Sequence, residues 1–367
     1  MGISTVAVYS EQDRNAQYVQ LADESYLLSG DTYASTYLNE DLLIGILHRS
    51  ARRRAPRLRI SLRGAELRRQ GRESGRDLGG AASAGADRPR RQDHRASRGE
   101  VRAGAPVPGI SEPVRELRTL LDFSHTYGYP VMMKRTDGGG GRGITVVHDD
   151  DEMRRFYMNH DAMQGGDLDE YFIEKFIDKA RHVETQCGRD RFGDFTVYST
   201  RDCSVQRRNQ KLVEEAPAPF LPDEVINQLE TYSRSLFNKV DYIGLGTCEF
   251  MVTPHRKVYF LEVNPRLQVE HTVSEEVCGL DLVREQIDIA DGGHLTPAPA
   301  PRGHSFELRI TSEDPATNLT PSSGTLERIV WPSGPGLRID TGRGAGRHGL
   351  AEVRFDDGQG RDHRAEP

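Results

Sequence analysis

A 50-residue stretch, residues 51–100, limits what this chain can fold into more than any other feature. It contains 15 arginines and six acidic residues, but no lysine, phenylalanine, tyrosine or tryptophan. Such a segment has too little apolar surface to build a core. We therefore expect the folded parts on either side of it, and 367 residues leave room for two or three domains. A nucleic-acid-binding arm would mix lysine with arginine and interleave aromatic residues, so we expect no nucleic-acid partner.

Charge and cysteine content narrow the class of protein further. The whole chain has a net charge of −7, so the sequence outside the arginine-rich stretch is distinctly acidic. The four cysteines are scattered and form no C-x-x-C motif, which predicts free thiols in a reducing, cytoplasmic setting rather than disulfides or a zinc site. No apolar run approaches the roughly 20 residues of a membrane span, so we expect no membrane association.

Helix and strand patterns alternate in the rest of the chain, which predicts an α/β fold. The opening STVAVYS is typical of a buried parallel strand. SEPVRELRTLLDFSHTYG predicts a helix capped by Ser111 and ended by Gly128. Further helices are predicted from NEDLLIGILHRS, LPDEVINQLETYSRSLFNKV and LDLVREQIDIADG, and strands from PVMMKR, ITVVHD, YFIEKFI, RHVETQC and VYFLEVN.

The segment DGGGGRGI, residues 137–144, joins two of the predicted strands. Its four consecutive glycines, Gly138, Gly139, Gly140 and Gly141, allow backbone N–H groups to approach a phosphate closely. It lacks G-K-[ST] and precedes a strand, so it is neither a P-loop nor a Rossmann turn. We interpret it as a hairpin flap over a nucleotide, with Lys134 as a nearby cation; a plain flexible loop is the alternative.

The segment FLEVNPRLQVEH, residues 260–271, alternates apolar residues with polar ones at every second position from 262 to 270. If it is extended throughout, one face packs on the core and the other presents the polar groups. Glu262 and Asn264, joined by Glu249 from the preceding strand, offer oxygen ligands for Mg²⁺ or Mn²⁺. Arg266 offers a planar fork for bicarbonate or a carboxylate, and Glu270 could take a proton. The alternative is an ordinary amphipathic edge strand.

A third segment, RDCSVQRRNQKLVEEAPAP at residues 201–219, would alone predict a salt-bridged loop. Together with KRTDGGGGRG, RHVETQ, FLEVNPRLQVEHTVSEE and ELRITSEDP, it resembles the biotin carboxylase component of biotin-dependent carboxylases. The resemblance implies an α/β ATP-grasp fold with a truncated, Rossmann-like pre-ATP-grasp N-terminal domain and an incomplete biotin carboxylase C-terminal domain. It also implies ATP, Mg²⁺ or Mn²⁺, bicarbonate, and biotin on a carrier protein.

The resemblance implies a role for each matching residue. Residues that would hold or line ATP are Lys134, Gly138, Gly139, Gly140, Gly141, Glu174, Lys175, His182 and Gln206. The metal ligands would be Glu249, Glu262 and Asn264. Bicarbonate would be seated by Arg266, Gln268 and the Val269 backbone, with Glu270 as its base. Arg309 would stabilise the biotin enolate, and Lys211 would lie near the transferring group. Asn209 stands where many members of the family have a histidine that contacts the nucleotide. At this position the sequence departs from the family pattern.

Two family segments, HPGYGFLSE with a following GDK, and FDSMMAK, are absent in frame. Codons allowed for residues 55–62 spell HPGYGFLS one base later, those for residues 90–92 spell GDK, and those for residues 351–359 spell PKFDSMMAK. We interpret residues 51–104 as frame-shifted and disordered, a disordered linker being the alternative, and residues 343–367 as a frame-shifted tail. The remaining divisions are an N-terminal-domain remnant at 1–50, an ATP-grasp domain at 105–295 and the start of the C-terminal domain at 296–342.

The function implied by the resemblance is ATP-dependent carboxylation of carrier-bound biotin through carboxyphosphate. A biotin carboxyl carrier protein or domain, a carboxyltransferase subunit and a second copy of the chain would be its partners. Because of the two shifted segments, we expect the chain as written to be defective. Two alternatives stay open: a non-catalytic copy that retains nucleotide binding, and another ATP-grasp carboxylate ligase, such as a carbamoyl-phosphate synthase-like domain.

Overall fold

The computed structural model describes residues 1–32, 35–53, 105–110, 112–135, 144–160, 168–207, 209–317, 319–322, 328, 330–341 and 351–357. Three sequence expectations lie outside these residues: the stretch from residue 54 to 104, the glycine loop at 138–141, and the Ser111 cap.

The N-terminal part contains a small parallel sheet and two helices. Strands β1 (Val6–Tyr9) and β2 (Glu24–Leu27) pair in parallel, with helix α1 (Gln17–Leu21) between them and helix α2 (Glu40–Arg53) after them. The predicted parallel strand and the helix from NEDLLIGILHRS are therefore confirmed. Full burial of the strand is wrong, because only Ala7 of β1 is buried.

A four-stranded antiparallel sheet follows, with the spatial order β4–β7–β5–β6. Its strands are β4 (Gly109–Ile110), β5 (Val131–Arg135), β6 (Ile144–Val147) and β7 (Tyr171–Lys175). Helices α3 (Leu117–Tyr127) and α4 (Asp150–His160) contribute apolar side chains such as Leu120, Phe123 and Phe156 to its core. β5, β6 and β7 fall where the sequence predicted them.

Helix α3 begins six residues later than its predicted Ser111 cap. Pro113 disfavours a helical residue before it, and the backbone at Glu116, immediately before the helix, is still extended. The predicted C-terminal end is confirmed, since Gly128 follows the last helical residue with φ of 77°.

The largest sheet has nine strands in the order β16–β17–β13–β10–β9–β8–β11–β12–β3. The strands are β3 (Ala105–Pro106), β8 (Arg181–Arg189), β9 (Phe195–Arg207), β10 (Gln210–Ala216), β11 (Gly244–Val252), β12 (Val258–Asn264), β13 (His304–Ile310), β16 (Leu337–Thr341) and β17 (Ala351–Asp357). Short strands β14 (Glu313–Asp314) and β15 (Thr320–Pro321) pair separately. All neighbours in the large sheet are antiparallel except β12 and β3.

Helices α5 (Asp223–Lys239), α6 (His271–Cys278) and α7 (Leu282–Ala290) pack on the large sheet. Val225 and Leu229 of α5 pack with Val183 of β8 and Phe250 of β11. Neighbouring residues of a strand point to opposite faces, so His182, Glu184 and Glu249 lie on the face away from α5. That face positions the candidate site, and α6 and α7 lie against it.

The predicted strand VYFLEVN is confirmed as β12, which ends at Asn264, so the segment FLEVNPRLQVEH is not extended throughout. Pro265 has no N–H for the ladder, and the chain turns at once, with Arg266 N donating to Asn264 O at 2.8 Å. Helix α6 then starts at His271. Consequently Val269, expected on the core face, is 45% exposed, while Gln268 and Glu270 are buried.

Strand β17 lies within the tail that we interpret as frame-shifted. Its backbone pairs with β13 and β16, Phe355 being opposite both Phe306 and Leu337. The frame-shift interpretation of residues 343–367 stays a prediction.

Two expectations drawn from composition concern the cysteines and membrane-spanning segments, and the structure bears on both. All four cysteines are free and buried, which confirms the prediction of free thiols. Within the described part of the chain, no helix combines the length and the apolar character that crossing a membrane requires.

Candidate active site

A row of charged side chains crosses four strands of the large sheet. Arg201 on β9 is the register partner of Glu184 on β8, Glu184 is the partner of Glu249 on β11, and Glu249 is the partner of Glu262 on β12. Register partners share a face, so the side chains lie side by side. Three neighbouring carboxylates repel one another, and the site must therefore supply cations.

The three predicted metal ligands are brought together at one end of this row. Asn264 Nδ2 donates to Glu249 Oε1 at 2.7 Å and to Glu262 Oε1 at 3.0 Å. The two carboxylates fit Mg²⁺ or Mn²⁺ bound together with phosphate oxygens. Asn264 presents its nitrogen to them, and its Oδ1 accepts from Arg266 at 3.3 Å, so its amide would have to turn to ligate a metal. The metal role of the trio stays a prediction.

His182 sits beside the same carboxylates. Its Nε2 lies 3.0 Å from Glu249 Oε2 and 3.3 Å from Glu184 Oε1, and its Nδ1 lies 3.1 Å from Gln206 Nε2. Burial alone would lower the pKa of His182, but Glu184 and Glu249 outweigh it and raise the pKa to about 9. His182, Glu184 and Glu249 also place three ligand atoms within 4.8 Å of one another, a set that could hold a metal ion and that differs from the predicted trio.

Lys211 supplies a second cation to the row. Its Nζ contacts Glu184 and lies 2.5 Å from Glu270 Oε1 and 3.5 Å from Glu249 Oε1. Burial would lower the pKa of the Lys211 ammonium, but the three carboxylates hold it above its ordinary value. Lys211 is therefore charged and fixed among them.

Arg309 holds the other side of Glu270. Its Nη2 lies 2.9 Å from Glu270 Oε2 and 2.6 Å from Glu214 Oε1. Glu214 and Glu307 are register partners on β10 and β13, and both are fully buried. Burial raises the pKa of Glu214 to about 8 against the opposing charge of Arg309, with Glu307 and Glu270 acting in the same direction as burial. Burial therefore favours the protonated form of Glu214.

The loop between β12 and α6 carries the predicted oxyanion group. Gln268 Nε2 donates to Glu249 Oε1 at 2.7 Å, while Arg266 Nη1 donates to its neighbour Leu267 O at 3.2 Å. Nitrogen atoms of Lys211, Asn264 and Gln268 all lie within 3.5 Å of Glu249 Oε1. Three donors that converge on one oxygen form an arrangement suited to a carboxylate or a small oxyanion.

The predicted nucleotide residues fall into two groups. His182 and Gln206 belong to the large sheet, while Lys134 on β5 contacts Glu174 on the adjacent strand β7. Lys175 points elsewhere: its Nζ donates to the backbone oxygen atoms of Gly128 at 2.9 Å and Pro130 at 3.3 Å. The Lys175 side chain therefore points away from the Lys134–Glu174 pair. The nucleotide-binding roles of all these residues stay predictions.

Sequence reasoning missed Glu184 and Arg201, both fully buried. Glu184 had a readable signal, because His182, Glu184 and Gln186 alternate with less polar residues in RHVETQC. Arg201 had none, since an arginine is rarely buried and nothing local marks it as an exception.

Comparison with known proteins identifies the family. Three family models match the chain in order: "Biotin carboxylase, N-terminal domain" at residues 1–54, "Carbamoyl-phosphate synthase L chain, ATP binding domain" at 93–298 and "Biotin carboxylase C-terminal domain" at 307–356. A biotin carboxylase from Nostoc sp. is 37% identical over 348 residues, covering 93% of this chain and 78% of the relative. The chain belongs to the biotin carboxylase family.

Some relatives of this biotin carboxylase family member are much longer than the part that it matches. The biotin-dependent acyl-coenzyme A carboxylase alpha3 subunit of Mycobacterium leprae is 38% identical over 357 residues, and the match covers 93% of this chain but only 58% of that subunit. The biotin carboxylase domain dimer of Hydrogenobacter thermophilus 2-oxoglutarate carboxylase, solved with MgADP, ADP and bicarbonate, has a TM-score of 0.82 at 29% identity, covering 97% of this chain and 81% of that one.

These matches confirm the α/β ATP-grasp fold and the family resemblance. The carbamoyl-phosphate synthase alternative is wrong: that name belongs to the model of the ATP-binding region alone, and both flanking models are specific to biotin carboxylases. The model of the ATP-binding domain begins at residue 93, inside the arginine-rich stretch, and the model of the C-terminal domain ends at residue 356, inside the tail.

Proposed function

We propose that this chain carries the site for ATP-dependent carboxylation of biotin, with bicarbonate as the carbon source. The observation that carries the proposal is the placement of Glu270 between two cations. Lys211 lies 2.5 Å from one of its oxygens and Arg309 lies 2.9 Å from the other. Such a carboxylate is fixed in position and would be able to accept a proton.

The neighbouring groups give the proposal its chemistry. A bicarbonate oxygen seated by Arg266 and Gln268 would attack the γ-phosphorus of ATP as the bond to ADP breaks, and Glu270 would accept the bicarbonate proton. The carboxyl group of carboxyphosphate would then form a bond to the biotin ureido nitrogen as its C–O bond to phosphate breaks, and the released phosphate would take the proton of the ureido N–H. Arg309 would balance negative charge on the ureido oxygen, and Lys211 would lie beside the transferring group.

Glu249 and Glu262 would hold a divalent cation, since their carboxylates face one another across β11 and β12. A bound Mg²⁺ or Mn²⁺ would neutralise the phosphate charge that accompanies phosphoryl transfer. Lys134 and Glu174 would face the nucleotide from the four-stranded sheet. The described residues would thus supply an oxyanion group, a proton acceptor and a carboxylate pair for a metal.

The partners are proposed from the family. A biotin carboxyl carrier protein or domain would present biotin, a carboxyltransferase subunit would receive the carboxyl group, and two copies of the chain would form a homodimer. The length of the relatives and the dimeric Hydrogenobacter domain support this assembly. We propose a cytoplasmic location, in keeping with the four free cysteines.

The test measures biotin-dependent ADP release and fixation of labelled bicarbonate into biotin. We define the frame-restored protein as this chain with one base removed near the Ser50 codon and the frame re-entered before Ala105. Biotin and bicarbonate should both be required for ADP release by the frame-restored protein. If the rate of ADP release were the same with and without biotin, the proposal would be contradicted.

A non-catalytic copy that retains nucleotide binding is the second candidate. It is favoured by the segment 51–104, which carries 16 arginines and replaces the family's GDK lysine and HPGYGFLSE. Mg·ATP binding without turnover by the chain as written would support it.

A further inference from the structure

Arg201 is the most completely bonded side chain of the candidate site. Its guanidinium is fully buried. Its acceptors come from two strands, a helix and a loop. They are Glu184 Oε2 at 2.9 and 3.0 Å, Gln186 Oε1 at 2.7 Å, Ser274 Oγ at 3.0 Å, Thr247 Oγ1 at 3.1 Å and Gln268 Oε1 at 3.2 Å.

The bond from Arg201 decides which way the Gln268 amide faces. A guanidinium can only donate, so Gln268 must turn its oxygen toward Arg201. The amide nitrogen then points to the opposite side, where it donates to Glu249 Oε1 at 2.7 Å. A carboxylate can only accept while ionised, so both neighbours demand the same orientation.

We propose that Arg201 is a positioning residue that fixes the Gln268 amide with its NH₂ group on the Glu249 side, where the proposed function would seat bicarbonate. This rests on the proposed function. Gln268 would otherwise be able to present either its oxygen or its nitrogen, and an oxygen would repel an anion. A lysine at position 201 would preserve the charge but could not reach the separate acceptors with a planar fork.

The first test needs no ligand. Arg201→Lys, Gln268→Ala and the double variant of the full chain are unfolded by denaturant. If Arg201 acts on Gln268 through their hydrogen bond, the double variant should lose less stability than the sum of the single losses. Additive losses would overturn the proposal, and this result does not depend on whether the chain binds bicarbonate.

The second test measures anion binding without turnover. Mn²⁺ with ADP is added to the full chain, bound Mn²⁺ is followed by electron paramagnetic resonance, and ¹³C-bicarbonate is titrated while its paramagnetic relaxation is recorded. Arg201→Lys should raise the bicarbonate concentration for half-saturation about tenfold or more, the loss of one hydrogen bond to a charged group. Binding of Mn·ADP should change by less than about twofold.

Two further variants sharpen the outcome. Gln268→Glu replaces the NH₂ group by an oxygen while leaving Arg201 its acceptor, so bicarbonate binding should fall about tenfold or more even if Arg201→Lys fails to fold. Gln186→Leu removes another acceptor of Arg201 and is the matched control, with unchanged bicarbonate binding. If the Gln268→Glu variant bound bicarbonate as tightly as the unsubstituted chain does, the proposal would be overturned. Failure of the unsubstituted chain to bind bicarbonate would count against the proposed function, while the unfolding cycle still decides the role of Arg201.

Discussion

Lys211 reaches Glu270 from strand β10, with Nζ of the lysine 2.5 Å from Oε1 of the glutamate. The two residues are 59 positions apart in the chain. The same ammonium contacts Glu184, so it joins the proposed base to the row of carboxylates that runs toward the proposed metal ligands. The Lys211 ammonium therefore links the proposed base, Glu270, to the carboxylates next to the proposed metal site.

Glu270→Gln should reduce biotin carboxylation by the frame-restored protein about 100-fold or more, because general acid–base groups contribute about 10²–10⁴-fold to a chemical step. ATP binding should change little, since Glu270 contacts Lys211 and Arg309 rather than the proposed metal carboxylates. Steady-state rates and nucleotide titrations measure the two effects. Glu224→Gln, an exposed glutamate of α5, is the control. Near-normal turnover by Glu270→Gln would place the base elsewhere.

Arg266→Ala should raise the bicarbonate concentration that gives half the maximal rate about tenfold, because one charge-assisted contact to the anion is lost. The ATP concentration required should stay within about twofold. Bicarbonate and ATP are varied separately in the frame-restored protein, and exposed Arg256 replaced by Ala is the control. An equal rise for both substrates would show that Arg266 supports the fold rather than the anion.

Glu214→Gln should change how stability depends on pH. Burial raises the folded-state pKa of Glu214 to about 8 from its ordinary value of 4.5, so the folded protein keeps a proton that the unfolded chain releases. The contribution of Glu214 to stability therefore falls as pH rises from about 4.5 to about 8, and levels off above that. We compare the unfolding midpoint of the glutamine variant with that of the unsubstituted chain at each pH. The difference, variant minus unsubstituted chain, should be more positive at pH 9 than at pH 5. An unchanged difference between those pH values would show that Glu214 stays ionised.

The chain as written should show little or no biotin carboxylation compared with the frame-restored protein. The segment 51–104 lacks the family's GDK cation, and its 16 arginines would each need a partner if buried. Nucleotide binding can persist, because Lys134, Glu174, His182 and Gln206 lie outside the shifted segments. Parallel assays of bicarbonate fixation and ATP binding compare the two proteins. Equal fixation by both would refute the frame-shift interpretation.

The sequence determined most of the local structure by itself. Apolar spacing in LPDEVINQLETYSRSLFNKV predicted helix α5, whose Val225 and Leu229 are buried as expected. Strands β5, β6, β7, β8 and β12 were read from short apolar or alternating runs. These features depend on residues two to four positions apart, so a single stretch contains all the information. Strand alternation likewise aligned Glu262 with Asn264, whereas Glu249 was added to the group from the preceding strand candidate.

The tertiary structure alone decided the charge pairing of the site. No local pattern showed that Arg201 is fully buried with its acceptors at five side chains, or that burial raises the pKa of Glu214 to about 8. Arg201 and Gln268 are 67 positions apart, and Glu214 and Glu307 meet only through the β10–β13 register. Hydrogen bonds and desolvation depend on which distant groups share a buried space, and that arrangement exists only once the sheets and helices have packed.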